Sequence, residues 1–408
     1  MDAIIKVGPT GPGIAEASVI SADASMSPCV AAGSNLGALV WRGSLLTILT
    51  LGIYRFWYKT DLRRWYWRHS IVGGQGLEYR GNAREKLIGF LFALAVVLPL
   101  YFLGALLGLF AGEELGNSVT SLSAVIIAFL IQYGAYRSRR YRLTRTVWRG
   151  VRFDQAGSAW VYAFKSAFWA LLTLVTLGLL FPLMRRSLEA YRINNTRFGS
   201  AEGQFSPEAR APLKRWLLLW GGTCAMLGLA VYQTVTRGVI HPVTGIYQVE
   251  PETVFLMLFG MLWPFALWPW YRAQEFRVFV EGTRIGPVTF YSRLRTSVYY
   301  KLFLKFGGLM LGFVFAMLLL GSGLFFWIIQ GRVSQTGLLI TLAITYLFSF
   351  LVFSCVKELV LNQGFWRHAA ATMWIGNLDA ADSIIGTQVH DETATGEGLA
   401  DALDFGGV

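Results

Sequence analysis

Charge is scarce along this chain, and cysteine and histidine are scarcer still. Of 408 residues, 15% are charged, three are cysteine and four are histidine, while 54% are hydrophobic and the mean hydropathy is +0.48. So little charge excludes an ordinary soluble globular protein, in which about a quarter of the residues are charged. With Cys224 and Cys355 inside apolar runs and Cys29 alone near the start, no disulfide framework is expected, and the three read as incidental. His69, His241, His368 and His390 are dispersed, without His-x-x-x-His or Cys-x-x-Cys spacing, so neither a metal nor another cofactor is expected. His69 and His368 each follow an arginine and read as parts of a solvated polar edge. Gly73, Gly74 and Gly76 are not followed by Gly-Lys-Ser/Thr, and no Gly-x-Ser-x-Gly occurs, which removes the phosphate loop and the nucleophile elbow. No catalytic residues are expected, and the chain reads as a non-enzyme.

In place of charge there are long uncharged runs, at 87–110, 115–136, 216–236, 253–271, 306–331 and 333–356. Each can cross about 30 Å of hydrocarbon as a helix. One such run could be a buried core helix; six predict an all-α polytopic membrane protein with three transmembrane hairpins. None of the six carries an ionisable group, which argues against a coupled transporter with a charged midplane site.

Basic residues are concentrated instead between the runs. The segments 59–86, 137–152, 185–215 and 272–305 hold seven Lys or Arg each, and by the positive-inside rule all four are cytoplasmic. A parity conflict follows, because the apolar stretch 162–183 lies between two of them. A single crossing there would put two basic segments outside. Gly178 and Pro182 weaken it as a continuous helix, so it is expected to enter and leave on one side, as a re-entrant or interfacial element. Its counterpart 36–57, which carries Arg42, is expected to do likewise.

These two stretches are the clearest sign of internal repetition. Residues 36–82 and 162–208 run in step: Thr50 and Gly52 match Thr176 and Gly178, and Ser70 and Gly73 match Thr196 and Gly199. The tail of this unit, a basic segment followed by Thr or Ser and then glycine, recurs near 146–153 (Thr146, Gly150), 283–290 (Thr283, Gly286) and, weakly, 372–376. Threonine among aromatic and β-branched neighbours predicts a short strand, and glycine the bend that ends it. Residues 1–35, rich in Gly, Ala, Ser and Pro and without the build of a signal peptide, are expected to be a disordered arm. The membrane domain then occupies 36–376. Residues 377–408 hold Asp379, Asp382 and five further acids without one Lys or Arg, and read as a disordered acidic tail.

The stretches TLGIYRFWYKTDLRRWYW, LEYRGNAREKL, RYRLTRTVWRGVRF and TLGLLFPLMRRSLEAYRINNTRFG resemble the YjgN-like family of bacterial inner-membrane proteins. The likeness covers residues 37–205 firmly and is looser beyond. It implies a multi-pass inner-membrane location and a duplicated architecture, and it supplies no reaction.

Function must therefore be read from the residues. Arg63, Arg64, Arg68, Arg139, Arg140, Arg185, Arg186 and Arg192, interleaved with interfacial rings such as Trp65 and Tyr191, are the candidate contacts for anionic lipid at the cytoplasmic face. Membrane lipids are the expected partners and nucleic acid is not. A lipid-contacting or membrane-organising role is favoured; a channel or transporter for an uncharged or amphipathic substrate, lined by the broken TLG elements, is the alternative.

Overall fold

The computed structural model describes residues 27–31, 36–207, 210–240, 247–248, 250–330 and 334–384. The expected disorder of residues 1–26, 32–35 and 385–408 lies outside the described residues.

The chain is mostly helical, and among the described residues six helices are long and apolar enough to cross a membrane. After β1 (Ser27–Pro28) and β2 (Val30–Ala31) come α1 (Leu36–Leu49) and α2 (Arg55–Arg68), then β3 (Ser70–Val72), β4 (Gln75–Gly76) and β5 (Glu78–Tyr79). Helices α3 (Ala83–Ala111) and α4 (Glu113–Thr144) lead to β6 (Thr146–Trp148) and β7 (Val151–Gln155). Helices α5 (Ala159–Val175) and α6 (Phe181–Asn194) lead to β8 (Thr196–Phe198) and β9 (Ala201–Phe205). Helix α7 (Arg210–Arg237), the small ribbon β10 (Val239–Ile240) and β11 (Tyr247–Gln248), and α8 (Pro251–Glu281) lead to β12 (Thr283–Ile285) and β13 (Val288–Ser292). Finally α9 (Thr296–Ile329) and α10 (Gln335–Val356) are followed by a π-helical turn (Lys357–Asn362), α11 (Gln363–Ala371), β14 (Met373–Gly376) and a 3-10 helix (Leu378–Ser383).

Outward faces of the long helices stay apolar, with Phe110 85% and Leu304 73% exposed, which suits lipid and not water. Within the α3–α4 pair, which turns at Gly112, small residues let the backbones meet. A Cβ at Gly116 would lie 2.4 Å from the Gly108 Cα, so only glycine permits that approach. The sequence ends two spans at Tyr271 and Val356, where charge begins. Both helices run further, α8 through Arg272 and Glu275, and α10 by way of the π-helical turn through Lys357 and Glu358.

The short strands expected after the basic helices are present, and they join in a closed ring. Pairing is antiparallel throughout and runs β1–β14–β13–β12–β9–β8–β7–β6–β5 on one side and β2–β3–β4 on the other. The two series share their ends. Strands β1 and β2 flank Cys29, whose N–H donates to the Met373 carbonyl at 3.0 Å, and β4 and β5 flank Leu77, whose N–H donates to Ser70 at 3.2 Å. Residues 27–31 and 75–79 thus act as single strands that close the circle. This corrects the expectation of a disordered arm over 1–35 at residues 27–31, which form the strand that pairs with β14 on one side and β3 on the other.

The local chemistry repeats around the ring. At the end of each helix entering it, a hydroxyl donates back to the carbonyl four residues earlier: Ser70 to Tyr66 (2.9 Å), Thr146 to Arg142 (2.7 Å), Thr196 to Arg192 (2.9 Å), Thr283 to Phe279 (2.7 Å) and Thr372 to His368 (2.8 Å). Each bonds a carbonyl of the last helical turn, where intrahelical donors run out, and the chain then enters a strand. Gly73, Gly150, Gly199 and Gly286 then take positive φ in two-residue hairpin turns, the geometry that matches strand twist.

Every helical pair leaves the ring from one strand and returns to its antiparallel neighbour: α1 and α2 between β2 and β3, α5 and α6 between β7 and β8, and the three longer excursions likewise. The two short pairs turn at TLG. Leu51 and Gly52 have φ of 51° and 94°, and Leu177 and Gly178 have 50° and 93°. The N–H of each glycine donates across the turn at 2.7 Å, to Thr47 and to Thr173. The hydroxyls of Thr50 and Thr176 donate to Leu46 and Leu172 and accept the N–H of Tyr54 and Leu180.

Candidate functional site

Because strand side chains alternate, one face of each ring strand points to the lumen. Those positions are apolar: Val72, Trp148, Phe153, Phe198, Val288 and Ile375 pack around the buried Cys29. Burial pushes the Cys29 thiol pKa up, so it sits in the wall as a neutral thiol. The floor is formed by the 3-10 helix, whose Leu378 and Ala381 join Ile384 in the same cluster, and the Arg149–Asp382 ion pair pins it to the β6–β7 turn. Residues 377–384, expected to open a disordered acidic tail, are therefore part of the fold.

Above this floor is a cavity of about 800 Å³, within the size range of small-molecule sites. It rises from the ring between α2, α8, α9 and α11, where Trp67, Trp268, Phe303 and Trp366 line it. Phe365 joins two walls, 5.5 Å from Phe276 and 5.2 Å from Tyr299 between ring centroids. The lining is almost wholly aliphatic and aromatic; among the described residues Arg272 is the one charged side chain in it.

One wall is fixed by a buried carboxylate. Glu358, 5% exposed on the π-helical turn, accepts from Tyr66 Oη at 2.9 Å and Asn362 Nδ2 at 2.7 Å. The widened turn matters here, since single π-type turns inside helices are frequent at functional sites. Burial, and then the charge of Glu358, push the Tyr66 hydroxyl pKa up, so it remains a donor. Indoles bridge neighbouring units of the ring: Trp366 Nε1 donates to Ser70 Oγ at 2.9 Å, and Trp67 Nε1 to Thr146 Oγ1 at 2.8 Å.

Behind Arg272 lies a second, polar recess of about 240 Å³ lined by Arg185, Glu189 and Glu275. Glu275, 2% exposed, pairs with Arg185 at 3.2 Å and with Arg272. Glu189 pairs with Arg192 at 3.1 Å and Arg139 at 3.6 Å. Burial works against the Glu189 charge, but Arg139 and Arg192 outweigh it and hold its pKa below the usual carboxylate range.

The eight arginines singled out in the sequence therefore divide. Arg64, Arg68 and Arg186 are exposed. Arg63 is 2% exposed, and Arg140 Nε donates to the Gln155 carbonyl at 2.8 Å. Arg139, Arg185 and Arg192 are held by Glu189 and Glu275. Sequence spacing could not separate these groups, because the carboxylates that turn them inward lie on other helices or one turn away. The lumen itself was missed; its signal was the alternation of apolar residues in strands too short to register alone.

Among the described residues no group of His, Cys, Asp and Glu could hold a metal ion. No curated protein and no solved structure matches the chain. A family model matches residues 32–402, nearly the whole of the described ring and its helices. The chain belongs to that family, the bacterial proteins of unknown function DUF898.

Proposed function

We propose that this is a lipid-binding protein of the bacterial inner membrane, without catalytic activity, which holds a long apolar chain in the lumen of a cytoplasmic β-ring. The observation that carries the reading is the 800 Å³ apolar cavity, floored at one end and reaching at the other to membrane-facing helices. Apolar surface of this extent gains about 25 cal/mol per Å² when covered, which favours an apolar occupant over water.

Orientation rests on charge. The four segments with seven basic residues each all adjoin the ring, so the ring faces the cytoplasm by the positive-inside rule. The TLG pairs are re-entrant in this reading, because each starts and ends on neighbouring ring strands. Five excursions with the same hydroxyl and strand ending favour descent from a repeated unit. Arg64, Arg68 and Arg186, exposed near the ring, would meet anionic head groups. A conduit for substrates would need a passage through the floor, and the packing of Leu378 and Ile384 there favours a holding site instead.

The test is native mass spectrometry of protein released gently from the membrane, comparing the natural chain with Ala370→Trp, which places an indole in the lumen. Retained lipid that is lost from the variant is expected. Equal retention by both would refute a lumenal site.

A further inference from the structure

Resting on the lumenal reading, we infer that the occupant is an amphiphile with an anionic oxyacid head, carboxylate or phosphate, whose chain fills the ring while the head sits at the recess behind Arg272. The two compartments share a wall: Arg272 and Phe276 line both the apolar cavity and the polar recess. An apolar volume and a charged one, joined by an arginine, match the two ends of such a molecule.

Charge selects the sign of the head. The recess is lined by Arg185, Arg272, Glu189 and Glu275, and Arg139 and Arg192 pair with Glu189 beside it, so in these ion pairs among the described residues four guanidinium groups share two carboxylates. Glu275 is shared by two arginines, so its cluster keeps an excess positive charge at the wall of the cavity. An oxyacid can accept paired N–H donors from a guanidinium, the pairing that favours arginine over lysine at such sites. A neutral or cationic head would leave that excess uncompensated.

The same end of the cavity supplies the way in. Trp268 and Phe303 line the lumen and are 37% and 47% exposed on α8 and α9, two of the helices long enough to span a bilayer. Trp268 lies one helical turn before Arg272, so a chain sliding between these helices carries its head to the arginine. Tyr300 Oη, donating to the Ala266 carbonyl at 2.6 Å, ties α8 to α9 beside this path.

The full chain in phosphatidylcholine nanodiscs should be titrated with palmitate and with palmityl alcohol, which share a chain and differ in charge. Palmitate is expected to bind about fivefold more tightly, the equivalent of one basic contact. Arg272→Gln and, independently, Arg185→Gln should bring palmitate down to the alcohol without changing the alcohol. Glu275→Gln should raise the preference for palmitate, a gain that damage to folding would not produce. Equal binding of both probes, unaffected by any of the three variants, would overturn the head assignment and leave the lumenal site standing. If neither probe binds the natural chain, or Ala370→Trp leaves both unchanged, the lumenal site itself falls and this assignment with it.

Discussion

Tyr66→Phe removes one oxygen atom from a wall of the lumen and leaves its shape intact. The lost group is the donor to Glu358 at 2.9 Å, between residues that are 2% and 5% exposed, so water cannot replace it without rearrangement. A hydrogen bond to a charged group contributes about 1.5–3 kcal/mol, and the bond from Asn362 to Glu358 at 2.7 Å stays in place, so a loss of about 2 kcal/mol is expected. Glu358→Leu provides the second side of a double-mutant cycle, since it removes the acceptor without adding a new partner. Unfolding of the four proteins in one detergent, followed by far-ultraviolet circular dichroism, gives the coupling energy. About 1 kcal/mol or more is expected for partners in contact. Strictly additive losses, within about 0.3 kcal/mol, would show that α2 and the π-helical turn do not meet in this way.

Other positions test other parts of the structure. Cysteines at Pro28 and Trp374, directly opposed in the β1–β14 pairing, should cross-link under mild oxidation in a chain otherwise free of cysteine; a folded but uncrosslinked protein would leave the ring open. Thr196→Ala should cost about 1 kcal/mol through the lost bond to Arg192, and Thr196→Ser should restore it, as unfolding midpoints will report. Glu189→Gln should destabilise by about 3 kcal/mol at pH 7, because Arg139 and Arg192 lose a shared partner. The Glu189 pKa is depressed on folding, so its contribution is complete above the ordinary value of 4.5 and disappears as pH falls through the lowered one. The two proteins should therefore converge in acid; a constant gap would refute the ionic origin. At Gly178 a Cβ would meet nothing nearer than Trp220 at 3.7 Å, so Gly178→Ala should cost about 1–2 kcal/mol from its φ of +93° alone, without blocking membrane insertion.

The long helices were legible in the sequence because 20-residue apolar runs have few alternatives, and the hydroxyl-and-glycine strand signals were legible because each marks a helix end. Ring closure was not. Nothing in residues 27–31 announces a strand, since Ser27, Pro28 and Cys29 are weak strand formers; only the unpaired edge of β14 gives them a place. The fifth repeat looked degenerate for the same reason, as its hairpin partner comes from the other end of the chain. Glu275 and Glu358 also escaped notice, because charge was taken to end each span and a helix continuing past the apolar window leaves no periodic trace. The inward pairing of Arg139 and Arg192 depended on Glu189, whose orientation follows from the packing of α6 on α4 and not from local spacing.

A long-chain fatty acid carrying a photoreactive group at its terminal carbon would test the lumenal site most directly, with adducts mapped by peptide mass spectrometry after illumination in the membrane. Adducts on ring residues such as Trp148, Phe198 and Ile375 are expected, and they should vanish in Ala370→Trp. Labelling confined to outward faces of the spanning helices, at residues such as Leu304 and Phe110, would mean that the chain stays in the bilayer and the lumen is not its site.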